Sequence, residues 1–108
     1  MAQYTFIASR DPFESRGSET TLGLARELRR SGHDVTVYLV QNGVLGARKC
    51  TISGGFTALA REGVRILADP FSLRERGIDP TRLEDGIEPA ELDLIVDHLA
   101  EGRRVIWE

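Results

Sequence analysis

Short apolar runs alternating with amphipathic stretches limit the folds open to this chain more than any other feature. The run "YTFIAS" over residues 4–9 is almost continuously apolar, the mark of a strand covered on both faces. "HDVTVYLVQNG", from residue 33, places Val35, Val37 and Leu39 on one face and Tyr38 and Val40 on the other. "VRILA" over 64–68 is a third run, and "RRVIWE" over 103–108 closes the chain. Helical stretches separate these runs, and strands that alternate with helices predict a parallel sheet. The expected fold is a single α/β domain over residues 1–108, a three-layer α/β/α sandwich with a mostly parallel sheet of about five strands.

The helices carry their own punctuation. Ser18 reads as an N-cap, Thr21, Leu24, Ala25 and Leu28 as the inward face, and Gly32 as the stop. "GFTALAREG" is a short helix closed by Gly63. Ser72 and Glu75 read as a capping box, with Gly77 ending a helix of one to two turns. "DPTRLEDGI", residues 79–87, is turn-rich with room for a very short fourth strand. Pro89 reads as the first residue of a final helix, in which Leu92, Ile95, Val96 and Leu99 have the spacing of one buried stripe.

Charge and composition exclude several functions. The 108 residues carry a net charge of −3, and the 14 basic residues, all arginine except Lys49, are interleaved with acids. That pattern suits solvated helix faces and not a nucleic-acid stripe. Residues 9–19 hold one glycine and match neither a dinucleotide fingerprint nor a P-loop, so no cofactor is expected. His33 and His98 stand alone, and no Cys/His spacing suggests a metal. "MAQYTFIASRD" lacks the pattern of a signal peptide, and no apolar run approaches the roughly 20 residues that span a bilayer. A soluble cytoplasmic protein is the expectation.

In parallel sheets, ligands gather outside the carboxyl ends of the strands. Here that edge collects the loops 9–18, 41–55 and 69–72, and with them the single cysteine, Cys50, in "ARKCTISG". Arg48 and Lys49 beside it would favour the thiolate, which is the reactive form. Neither histidine follows a strand's carboxyl end, so a cysteine–histidine pair is not expected. The candidate thiol is therefore Cys50, in a pocket drawn from Ser9, Arg10, Asn42, Arg48, Lys49, Asp69, Ser72 and Arg76. Each has a plainer alternative: Cys50 as a loop cysteine without a role, and Asp69–Pro70 as an ordinary turn and pre-cap pair. A hydrolase using Asp69 as base ranks behind both, because no nucleophile or metal accompanies it.

The stretches "YTFIASRDPFESRGSETTLGLARELRRSGHDVTVYLVQNGV", "GVRILADPFSLRERGI" and "LDLIVDHLAEGRRVIWE" together resemble the DsrE/DsrF-like sulfur-relay family. The resemblance implies a small α/β protein that carries sulfur as a persulfide, in sulfur oxidation or tRNA thiolation. It also implies homotrimers, hexamers or assemblies with sister DsrE-like subunits, served by a sulfur-donor protein. Surface aromatics such as Phe13 and Trp107 would suit such contacts. Many members carry cysteine just after the third strand, in a pattern like "CxxCLxxRG". Counting back from Gly77, those positions hold Asp69 and Ser72. Neither can carry a persulfide, which leaves two readings: Cys50 as a relocated carrier thiol, or a binding or assembly subunit that has lost thiol chemistry.

Overall fold

The computed structural model describes residues 2–11, 16–48 and 54–107. Phe13, Lys49, Cys50 and Ser53 lie outside these. Strands β1 (Gln3–Ala8), β2 (Asp34–Leu39), β3 (Arg65–Ala68), β4 (Ile87–Pro89) and β5 (Arg104–Trp107) form one sheet in the order β4-β3-β2-β1-β5. Every pairing is parallel, and Val37 sits in register with Phe6 on one side and Ile66 on the other. The helices are α1 (Arg16–Arg30), α2 (Gly54–Arg61), α3 (Pro70–Glu75) and α4 (Asp93–Ala100). A 3₁₀ segment, Gln41–Ala47, opens the connection after β2.

Strand order dictates which face each helix covers. The chain steps from β1 to β4 in one direction, then crosses back to place β5 on the far side of β1. Because parallel crossovers are right-handed, the first three connections lie on one face and the last on the other. The packing agrees. Ala25 of α1, Phe56 and Leu59 of α2 and Leu73 of α3 join Val35, Val37, Leu39 and Ile66 in one continuous core. Ile95 of α4 packs with Ile7, Tyr38, Val40 and Leu67 in a smaller one. The alternation read from β2 is thus the division between the two cores. A fully buried aliphatic side chain contributes about 1.5–3 kcal/mol, so the first core holds most of the stability.

Several local expectations are corrected. Helix α1 already begins at Arg16, so Ser18 lies inside its first turn, and Leu24 faces solvent while Thr21 and Ala25 are buried. Asp69, not Ser72, caps α3. Pro89 ends the edge strand β4, where a missing N–H is tolerated, and α4 starts only at Asp93. Of the predicted buried stripe on α4, Ile95 alone is buried, while Leu92, Val96 and Leu99 are exposed. One eight-residue helix on this face packs against the sheet along a single side, and the rest of its apolar arc is exposed.

Candidate functional site

The carboxyl edge of the sheet holds an open cup of about 420 Å³ on the α4 side. Val40 and Gln41 enter it directly after β2, Asp69 from the β3–α3 turn, Ser72 from the first turn of α3 and Arg76 from its C-terminal cap. Phe71, Leu92 and Trp107 form apolar walls. The cup reaches toward the point where strand order reverses, between β1 and β5, as expected for a ligand site in an open parallel sheet.

Its polar floor is a chain of hydrogen bonds. The Asp69 carboxylate accepts from the backbone N–H groups of Phe71 at 3.3 Å and Ser72 at 3.2 Å. The Ser72 hydroxyl donates to Asp69 Oδ2 at 2.7 Å and accepts from the Gln41 N–H at 2.8 Å. Asp69 is therefore the N-cap of α3, with Pro70 at the first helical position. Gln41 has φ of 51°, the one positive φ at a non-glycine among the described residues, and that turn follows β2 directly. The 3₁₀ segment it opens passes so close to β1 that a Cβ on Gly43 would run into the Ala8 carbonyl oxygen, so only glycine fits there.

At the rim, Arg76 donates from Nε to Asn42 Oδ1 at 3.1 Å and from Nη1 to the Ser72 carbonyl at 3.3 Å. Beneath the floor, the Tyr38 hydroxyl donates to the Ala90 carbonyl at 2.9 Å. Burial first, and then the negative charge of Asp69, push the Tyr38 phenol well above its ordinary pKa, so it stays a neutral donor. Trp107 Nε1 donates to the Ser9 hydroxyl at 3.2 Å, joining the ends of β5 and β1.

Of the residues expected at the pocket, the structure brings Asp69, Ser72, Arg76 and Asn42 together, with Ser9 one hydrogen bond away through Trp107. Arg10 turns to the other side of the sheet edge, beside Thr21, Leu22 and Phe56. Arg48 stands at the far end of the 3₁₀ segment, where it bridges Leu83 and its Nε donates to the Leu45 carbonyl at 3.1 Å. Val40, Gln41, Phe71, Glu75, Leu92 and Trp107 were not foreseen as pocket residues. For Gln41 and Trp107 a signal existed, since each stands at the carboxyl end of a strand. Among the described residues, no three His, Cys, Asp or Glu side chains gather as a metal site requires, and no helix is long and apolar enough to cross a membrane.

A parallel five-stranded sheet with a cup at its carboxyl edge makes this a small open-sheet α/β domain with its pocket at the strand ends. The chain belongs to the DsrE/DsrF-like family, whose match covers residues 2–107. Solved structures share the fold over the full length. The protein of unknown function MTH1491 from Methanobacterium thermoautotrophicum is 24% identical with a TM-score of 0.84, and the ychN protein from E. coli is 21% identical with a TM-score of 0.88; each comparison covers 100% of both chains. The conserved protein of unknown function BT1422 from Bacteroides thetaiotaomicron is 15% identical with a TM-score of 0.81, over 98% of this chain and 94% of that one. No curated protein matches the chain.

Proposed function

We propose that this chain works in sulfur relay in the cytoplasm, with Cys50 as the thiol that holds sulfane sulfur and the strand-end cup as the surface that receives a donor. Family membership over nearly the whole chain is the observation that carries this reading. Cys50 is the single cysteine, so any persulfide on the protein is on that residue. In the transfer step the Cys50 thiolate attacks the outer sulfur of a donor persulfide. The donor's S–S bond breaks, a new S–S bond forms on Cys50, and the donor leaves as its own thiolate with no net oxidation. Arg48 and Lys49, its neighbours in sequence, would favour the attacking thiolate. The working unit is an assembly with copies of itself or with sister subunits.

A second reading rests on one feature of the site. At the positions where the family resemblance expects cysteine, Asp69 is engaged as a helix cap and Ser72 is buried and bonded to it. A cup built this way binds and does not react, as a binding or assembly subunit would. Intact-protein mass spectrometry after incubation with polysulfide separates the two. The relay reading expects a reducible gain of whole sulfur atoms on the wild type and none on Cys50→Ser. No gain on the wild type would abandon it in favour of the binding subunit.

A further inference from the structure

The charges that line the cup are left unmatched among the described residues. Phe71 and Glu75 stand one turn apart along one side of α3, and Ser72 and Arg76 one turn apart along the next. Arg76 uses two of its five N–H groups on neutral acceptors, Asn42 Oδ1 and the Ser72 carbonyl. Those two bonds orient the guanidinium and leave three N–H groups over. The exposed Glu75 carboxylate makes no hydrogen bond and no ion pair among the described residues. Asp69 accepts three hydrogen bonds from within the chain, and a carboxylate has about four sites to offer. Arg76 pairs with neither carboxylate, so one cation and two anions face the same open space.

The apolar walls are equally open. Trp107 is 65% exposed and Phe71 58%, and among the described residues neither ring meets another ring or lies under a cation. The bond from its indole N–H to Ser9 nonetheless fixes Trp107 in place. At the floor, the Gln41 N–H is bonded to the Ser72 hydroxyl at φ of 51°, and backbone strain of this kind gathers at ligand sites. A concave space of about 420 Å³ with aromatic and aliphatic walls and a few oriented polar groups has the make-up of a small-molecule site.

We propose that the cup binds a small zwitterion with an apolar body, of the α-amino acid class. Its carboxylate takes the remaining N–H groups of Arg76, its ammonium meets Glu75 with Asp69 nearby, and its side chain lies among Phe71, Leu92 and Trp107. A simple anion would face two carboxylates, and a simple cation would face the guanidinium. A zwitterion answers both signs and adds no net charge. The proposal rests on the cup as a binding surface and deepens that reading, without using the thiol. The mass-spectrometric test reads Cys50 and the one below reads Trp107, so either can fail alone.

Trp107 is the chain's single tryptophan and stands in the cup wall, so its emission reports on occupancy. Titration of the full chain with L-phenylalanine is expected to change that emission saturably by millimolar concentration. 3-Phenylpropionate lacks the ammonium and 2-phenylethylamine lacks the carboxylate, and each is expected to bind about tenfold more weakly. Glu75→Gln is expected to keep its fold and lose the preference for L-phenylalanine over 3-phenylpropionate. Arg76→Gln is expected to lose the preference over 2-phenylethylamine. A change in structure alone would weaken all three probes alike and leave these preferences standing. The absence of a saturable change with L-phenylalanine would overturn the proposal. So would analogues that bind as tightly as the amino acid, or preferences that survive in both variants.

Discussion

The two faces of the sheet are built from the same strands yet finished differently. On one, α1, α2 and α3 meet the sheet in a continuous core, with Leu39, Leu59, Leu73 and Ala25 fully buried. On the other, a single eight-residue helix covers Ile7, Tyr38 and Leu67 and leaves its own outer stripe in solvent. The first face is where the chain gains its stability. The second is where it keeps surface for other molecules, and the cup opens on that side. A domain of this length buries a modest share of its surface, and here Leu92, Val96, Leu99 and Trp107 leave much of the exposed apolar surface on the α4 side, with Leu24 and Ile106 exposed on the other.

The sharpest way to break this contrast is to remove equal volume from each face. Leu59→Ala on α2 opens a cavity in the closed core and is expected to lower unfolding free energy by about 2–5 kcal/mol. Leu99→Ala on the α4 stripe is expected to change the single chain by no more than about 0.5 kcal/mol, since an exposed side chain leaves no cavity. Denaturant unfolding of both variants at concentrations too low for assembly makes the comparison. Equal losses would mean that the two faces are not divided as described.

At the seam between the faces, Asp69 decides how α3 begins. Asp69→Ala removes the acceptor for two backbone N–H groups and for the Ser72 hydroxyl, and is expected to cost about 0.5–2 kcal/mol. Asp69→Asn keeps a capping oxygen and should recover most of that loss. A group with a chemical role would behave otherwise, so the pair also tests what Asp69 is for. Full stability with lost sulfur transfer in Asp69→Asn would make Asp69 more than a cap.

The middle of the sheet was legible because β1, β2 and β3 are largely buried on both sides, and alternation in such a strand assigns each side chain to a core. Val35, Val37 and Leu39 against Tyr38 and Val40 divide in the structure as they do in the sequence. The α4 stripe was not legible, because helical periodicity marks an apolar arc without saying how much of it a neighbour covers. Leu92, Val96 and Leu99 carry the pattern of core residues and have no core to enter. The cap of α3 was misplaced by three residues, because Asp69 and Ser72 both suit a cap and only the strand's end chooses between them. Of the site, Asp69, Ser72 and Arg76 followed from standing after β3. Phe71 lies in the 69–72 loop already placed at this edge, whereas Leu92 reaches the cup only through three-dimensional packing, which sequence separation hides.

A pH-dependent effect is also expected on the thin face. His98 is on the buried side of α4, with Nδ1 2.8 Å from the Thr5 hydroxyl. Burial, then the positive charge of Arg103, with a smaller push from Arg65 and opposition from Glu101 and Asp34, hold its pKa below the ordinary histidine value. A depressed folded pKa means that the unfolded chain takes up the proton first as pH falls. Stability is therefore constant from this source above about pH 6.5 and declines below it, by at most about 1.4 kcal/mol per pH unit until the folded form also titrates. Denaturant unfolding at pH 7 and at mildly acidic pH is expected to show that decline, and His98→Gln to flatten it. Hydrogen exchange should show α4 and β5 loosening before α1, because the proton enters beneath α4. A decline of the same size in His98→Gln would place its source elsewhere, and uniform loosening would mean that the thin face has no separate stability to lose.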